Sequence, residues 1–335
     1  MSTNVPAARA RIAPAHQGLR RAAQLLFGRQ ETVLLCAIIL LFVVVGSINP
    51  RYVAERNLLS IFLGNAYIAV AAIGMSMVIV SGNIDISVGS LIGVLASLSG
   101  SLAVSGYPIV VAWIAPLVAG ALVTALMGFL VAYLRIPAIV VSLGMLSILK
   151  GGLISVTGGT WITDLPQGYA LAQMRPLGVP MPIYFMVLLT AGAALWMRYS
   201  GTGRAIYAVG GNAEAARLSG ISTKRVIMTV FTVHGVFVGI ASVLFATQLS
   251  VIQSTVPPNL ELTVITASVV GGVSILGGTG TVIGSTLAAI LLSAIGSSLI
   301  FVSLSPYWLR AVQGALILLT VLADMLRRRR QALAR

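Results

Sequence analysis

Residues 109–133 read IVVAWIAPLVAGALVTALMGFLVAY, 25 positions without a charged side chain. A helix needs about 20 apolar residues to cross the hydrocarbon core of a bilayer. A helix also satisfies its backbone polar groups within its own segment, the condition for crossing lipid without water. The stretch therefore predicts a membrane-spanning helix, bounded by Gly106-Tyr107-Pro108 before it and Ile136-Pro137 after it. Nine further apolar windows lie at about 32–48, 58–81, 86–104, 138–157, 181–197, 226–249, 261–276, 281–303 and 307–325. Turn chemistry separates them, at Asn49-Pro50, Gly82-Asn83, Pro257-Pro258, Gly277-Gly278-Thr279-Gly280 and Ser305-Pro306. The fold class is all-α: a polytopic helical membrane protein with about ten transmembrane helices. The Gly-rich break between windows 261–276 and 281–303 fits either a loop or a kink inside the membrane.

The composition agrees. Of 335 residues, 58% are hydrophobic and 8% charged, and mean hydropathy is +1.02; soluble domains carry roughly 25% charged residues. Lys and Arg number 21 against 7 Asp and Glu, a net charge of +14. On a soluble surface that excess would suggest nucleic acid. Here too few polar positions remain to build a basic face, so no nucleic-acid partner is expected. The excess reads instead as topology. Ten crossings put both termini on one side, with the N-terminal arginines, Arg135, the loop 198–225 and the tail from Arg327. That side holds 16 of the 21 basic residues, and the positive-inside rule makes it the cytoplasm.

Three regions follow: a basic cytoplasmic segment 1–30, a transmembrane domain 31–326, and a basic cytoplasmic tail 327–335. The first span is expected to be an uncleaved anchor, because no clear A-x-A site follows Val45. The single cysteine, Cys36, excludes a disulfide framework. The long loop 158–180 falls outside, with Trp161 and Tyr169 expected at the interface.

Within the internal loop, Asn212-Ala213-Glu214-Ala215-Ala216-Arg217-Leu218-Ser219-Gly220 is the one stretch that reads as a short, water-facing helix. Asn212 suits the N-cap, Glu214 the positive end of the helix dipole, and Gly220 the left-handed position beyond the C-terminus. Ala215 and Ala216 give a small, flat face that suits a groove in another protein. The plainer alternative is a connector between two spans.

Several other residues invite a role. Asp85, between two spans in Asn83-Ile84-Asp85-Ile86-Ser87-Val88-Gly89, is expected at the interface, with Asp85 or Ser87 capping the next helix. His234 reads as an interhelical hydrogen-bonding group and lies in the opposite half of its span from Asp85. Lys150, Gln248, Glu261 and Gln313 are further polar residues in or near spans; Lys150 either snorkels from the external end of its span or pairs with Asp164 or Glu261. The pairs Gly89/Gly93, Gly235/Gly239 and Gly280/Gly284 allow close helix packing. The matching of Gly89 with Gly280 and Gly93 with Gly284 is a weak sign of internal duplication. No metal-ligand cluster and no G-x-x-x-x-G-K-[ST] phosphate loop occurs, so no cofactor is expected and any ATP must be bound elsewhere.

Glu214-Ala215-Ala216, three residues, then Gly220 resembles the EAA---G element of ABC importer permeases. The I-x-L-P continuation of some branches is missing; that region reads Val230-Phe231-Thr232-Val233. Residues Gly82 to Gly89 resemble the G-G-I-D-L-S-V-G signature of the permeases for ribose, xylose, rhamnose, galactose and the furanosyl autoinducer, with Asn83 replacing the second glycine. Tyr207–Asn212 and Gly271–Gly280 extend that resemblance. It implies a permease subunit of a sugar importer in the bacterial inner membrane, without enzymatic chemistry of its own. It also implies three protein partners: an ATP-binding subunit docked at Asn212, Glu214, Ala215, Ala216 and Gly220, a periplasmic solute-binding protein, and a second permease copy. Membrane lipid surrounds the assembly. Asn83, Asp85, Ser87 and Gly89 become signature and pathway candidates. A branched-chain amino-acid permease of the same superfamily and an ion-coupled secondary transporter are the alternatives. An intramembrane hydrolase is disfavoured by the assigned separation of Asp85 from His234.

Overall fold

The computed structural model describes residues 30–255 and 257–333. The basic segment 1–30, apart from Gln30, and the last two residues of the tail lie outside them.

A helix stands on each of the ten apolar windows: α1 Gln30–Ile48, α2 Glu55–Val80, α3 Val88–Val104, α4 Ile109–Ala132, α5 Ala138–Thr157, α6 Met181–Tyr199, α9 Thr223–Ala246, α10 Leu260–Val270, α11 Val282–Phe301 and α12 Trp308–Leu333. Between α6 and α9 come α7 Gly201–Gly211 and α8 Ala213–Leu218. The internal loop thus contains two short helices where the sequence suggested one. Among the described residues the sole strand-like feature is an antiparallel bridge between Ile162 and Ile252. Among the described residues, eight helices are long and apolar enough to cross a membrane. The two shorter apolar ones are α3, with 17 residues, and α10, with 11; at 1.5 Å per residue α10 spans about 16 Å, roughly half a bilayer core. It stops at Val270, six residues before the predicted end of its window. Gly271 presses on the backbone of Ser285, and the chain turns at Gly272 (φ +94°).

Burial sorts the helices. Ile68 to Val80 of α2 are buried without exception, as expected of a central helix that is apolar all round. Helix α9 is the other central element. By contrast Leu122 of α4, Ile148 of α5 and Leu318 of α12 are at least 66% exposed, the faces that lipid would cover.

Close backbone approach and buried hydroxyls join the layers. A Cβ at Gly239 would lie 2.5 Å from the Leu117 Cα, and one at Gly120 would lie 2.5 Å from the Gly235 carbonyl oxygen, so α4 and α9 touch main chain to main chain. Ser76 on α2 donates to Ser285 Oγ on α11 at 2.6 Å, and Ser268 on α10 donates to the Ala72 carbonyl at 3.2 Å. Pro116, inside α4, has no N–H to offer the Ala112 carbonyl one turn back. Ser99 of α3 donates to that carbonyl at 2.7 Å, and the Tyr169 hydroxyl donates to Ser99 Oγ at 2.8 Å. Tyr169 is therefore buried in the bundle and not at the interface, and burial pushes its phenol up to about 12. Trp161 is exposed.

These contacts define two ends of the bundle. At one, Gln30 donates to the Val270 carbonyl at 3.1 Å, Tyr207 to the Gly280 carbonyl at 2.8 Å and Ser274 to Asp324 at 2.6 Å. The start of α1, the last turns of α12 and helices α7 and α8 thus share this end. Loop 158–180 occupies the other, where Gln173 donates to the Gln248 carbonyl at 3.2 Å.

Candidate functional site

Helix α8 is built as its residues dictate. The Asn212 side chain accepts from Ala215 N at 2.9 Å, closing the N-cap. Glu214 occupies the first turn and forms an ion pair with Arg217, whose hydrogen bonds and charge hold the carboxyl below its usual range. Gly220 (φ +83°) then takes the left-handed conformation that a β-branched residue resists, and its amide donates to the Arg217 carbonyl at 3.0 Å. Ala216 alone turns inward; Ala213, Glu214, Ala215 and Leu218 are exposed. Leu218, at 78% exposure, presents an apolar side chain beyond the ends of the spans.

Two residues before Asn212 lies a junction of three segments. The Gly278 amide donates to the Val80 carbonyl at 2.8 Å, joining the loop 271–281 to the end of α2. Gly210 of α7 sits between them. A Cβ there would collide with the Val80 carbonyl oxygen and lie 2.8 Å from the Gly278 nitrogen. A Cβ at Gly277 would in turn lie 2.8 Å from the Gly210 carbonyl oxygen and 3.0 Å from Gly82 Cα. Only glycine allows this three-way backbone contact.

The loop after Gly82 leads inward. Asn83 donates to Ser81 Oγ at 3.0 Å and remains half-buried. Asp85 and Ser87 are fully buried, which corrects the interfacial placement of Asp85. One Asp85 oxygen accepts from the Ser87 amide at 2.7 Å and its hydroxyl at 2.6 Å, so Asp85 organises the turn that starts α3. The other accepts from His234 Nε2 of α9 at 3.1 Å. The assigned separation of Asp85 and His234 is therefore overturned: the loop folds into the bundle, and the two side chains meet with no exposed surface. His234 Nδ1 has no hydrogen-bond partner among the described residues and faces Gly74, where a Cβ would lie 2.7 Å away. Nothing in linear spacing announced this pair. The clue was chemical: two isolated polar side chains, each costly to bury alone.

The remaining candidates are packing positions. A Cβ at Gly89 would lie 2.9 Å from the Glu261 amide nitrogen, bringing the first turns of α3 and α10 together. Gly93 is buried one turn on. Gly235 packs against Thr124 and Gly120, and Gly284 against the Gly271 carbonyl, whereas Gly280 (φ +136°) lies in the loop before α11 and packs against Val273, so Gly280/Gly284 is not the helix-packing pair the sequence suggested. The Gly89 and Gly284 approaches both join the first turn of a helix to a neighbouring segment. Lys150 shares a small cavity with Glu261 but has no ion pair within 4 Å among the described residues. Among the described residues no group of three His, Cys, Asp or Glu side chains could hold a metal.

Comparison with known proteins adds the family. Residues 57–321 match the family described as branched-chain amino acid transport system / permease component. The autoinducer 2 import system permease protein LsrC of Enterobacter sp. (strain 638) is 37% identical over 314 residues, 92% of this chain and 90% of that protein. Its namesake in Salmonella typhi is 37% identical over 296 residues, 88% of this chain and 84% of that protein. In Escherichia coli (strain K12 / DH10B) the figures are 34% over 301 residues, 88% and 86%. No solved structure matches the chain.

Proposed function

We propose a sugar-like solute as the cargo of this chain, which belongs to the branched-chain amino acid transport system / permease component family and is the permease subunit of an ABC importer. The observation that carries the cargo is the identity of 34–37%, over about nine-tenths of the chain, with permeases named for autoinducer 2 import. The family description favours a branched-chain amino acid as the second reading.

The chain is a multi-pass membrane protein, and the inner membrane of a bacterium is its proposed location. Ten crossings with both termini cytoplasmic are supported by the ten helices and by the shared end of α1, α8 and the last turns of α12. The proposed organisation retains the transmembrane domain 31–326 with its basic flanks 1–30 and 327–335. A solute-binding protein delivers cargo at the loop 158–180 end, and a second permease copy completes the pathway. At the opposite end α8 docks into an ATP-binding subunit through Asn212, Glu214, Ala215, Ala216 and Gly220. Its capped, exposed helix and the bare Leu218 side chain support that role. The signature residues Asn83, Asp85, Ser87 and Gly89 carry movement from this end into the core, and the pairs Gly89/Gly93 and Gly235/Gly239 fix the helix spacing along that route. ATP is hydrolysed by the partner; this chain lowers the barrier to crossing.

Proteoliposomes with the permease, its ATP-binding subunit and the binding protein test the cargo. ATP-dependent accumulation of labelled autoinducer 2 or D-ribose, with L-leucine excluded, is the expected result. Accumulation of leucine alone overturns the sugar-like cargo. Uptake driven by a sodium or proton gradient, with this chain alone, overturns the dependence on an ATPase.

A further inference from the structure

At the loop 158–180 end a cleft of about 320 Å³ lies between α2, α10, α11 and α12. Small-molecule sites run from about 300 to 1,000 Å³, so the volume suits a compact solute. No lining side chain ionises. Three carboxamides, Asn57, Asn65 and Gln313, and four hydroxyls share the cleft with apolar walls.

Polar groups inside a membrane bundle are costly unless hydrogen-bonded, so their partners matter. Asn57 is used at both ends: its amide donates to the Tyr52 carbonyl at 2.7 Å, and its oxygen accepts from Ser297 at 2.9 Å. Asn65 donates to Ser293 Oγ at 2.6 Å, and Gln313, only 7% exposed, donates to Thr263 Oγ1 at 3.2 Å. A carboxamide has two donor hydrogens and two acceptor sites. Asn65 and Gln313 each use one donor, and neither side-chain oxygen accepts from a described residue. Interhelical adhesion accounts for Asn57 but leaves this capacity idle on two opposing helices, α2 and α12.

We infer that the cleft is a binding site for a neutral polyhydroxylated solute in transit, with Asn65 and Gln313 reading its hydroxyls. Sugar hydroxyls both donate and accept, matching the unused donor and acceptor sites. A zwitterionic amino acid would meet no ionisable partner on these walls. The cavity of about 990 Å³ at the α8 end has the opposite character, with Glu31, Arg198 and Arg204 among its lining. The inference rests on the proposed sugar-like cargo and adds where the membrane domain holds it.

The test uses the complete importer with Asn65→Ala or Gln313→Ala and the probes autoinducer 2, D-ribose and L-leucine. Uptake of the sugar-like probe carried by wild type should fall roughly tenfold or more in each variant. Permease abundance should stay within about twofold of wild type. If wild type imports a sugar-like probe and both variants match it within about twofold, the site is refuted while the cargo stands. If wild type imports leucine alone, or no probe, the cargo reading falls and the site with it. Should a variant not reach the membrane, Ser60→Cys in a Cys36→Ser background supplies the test. The imported sugar should slow maleimide labelling at position 60, and an unchanged rate overturns the inference.

Discussion

Gly210→Ala puts the three-way junction under direct strain. The new methyl group would collide with the Val80 carbonyl oxygen and approach the Gly278 nitrogen, the two atoms that bond to each other at 2.8 Å. Losing that hydrogen bond costs about 1 kcal/mol, and forcing a methyl into close-packed backbone costs about 1–3 kcal/mol. Ala is better than Gly inside a helix by about 0.5–1 kcal/mol, which offsets part of the loss. The net expectation is a destabilisation of about 1–3 kcal/mol. Gly211 is the internal control, because a Cβ there meets nothing within 4 Å. Gly211→Ala should be neutral or stabilising by up to about 1 kcal/mol. Adjacent residues undergoing the same chemical change are thus expected to differ in sign. Denaturant unfolding of the purified chain in detergent reads the stability, and ATP-driven uptake reads the consequence. Wild-type stability in Gly210→Ala, or an equal loss in Gly211→Ala, would refute the packed junction.

Gly220→Val should leave membrane insertion intact and abolish ATP-driven uptake, since a left-handed conformation costs an L-residue about 1–2 kcal/mol and disturbs the end of α8; normal uptake would sink the coupling role. Arg217→Ala should raise the Glu214 titration midpoint, followed by carboxyl-carbon NMR, toward the ordinary carboxylate value, because the Arg217 hydrogen bonds and charge are what lower it. The sign follows: the pairing steadies α8 above the ordinary carboxylate pKa and fades as pH falls through the lowered one, and an unmoved midpoint counts against the pairing. Asp85→Asn and His234→Gln should each destabilise the fold and couple in a double-mutant cycle by about 0.5–3 kcal/mol; simple additivity would argue against their contact.

How far the sequence carried the reading depends on the range of each interaction. Helix α8 was legible almost atom by atom, because Asn212, Glu214 and Gly220 act on neighbours within a few residues. The ten apolar windows likewise marked ten helices, since lipid demands local satisfaction of the backbone. Their ends were less legible where the cause was remote. Helix α10 stops at Val270 because Gly271 meets Ser285 of α11, fourteen positions along the chain. Tyr169 looked like an interfacial aromatic, yet its hydroxyl supports the Ser99 bond beside Pro116. The Asp85–His234 pair, 149 residues apart, was misassigned for the same reason. The inward fold of the loop after Gly82 has no local signature.

The coupling role proposed for α8 requires a route from the ATPase end to the cleft, and rigid connections narrow the choice. Helix α9 begins a few residues after Gly220, and its main chain locks to α4 at Gly120, Pro116 and Leu117. Through His234 and Asp85 the same pair holds the loop that begins α3. Helix α2 reaches further. Its last residue, Val80, bonds to Gly278 at the junction beneath α7 and α8, and its Asn65 lines the cleft fifteen residues earlier. At 1.5 Å per residue that is about 22 Å of continuous helix, buried along Ile68 to Val80 and so held against bending. A shift of the junction thus reaches one wall of the cleft with little loss, whereas the opposite wall, Gln313 on α12, lies on a helix bonded to α10 and to the loop 271–281. Relative movement of these two walls is what would release a solute held between Asn65 and Gln313. The junction at Val80 and the cleft amide Asn65 are therefore joined by one helix, α2.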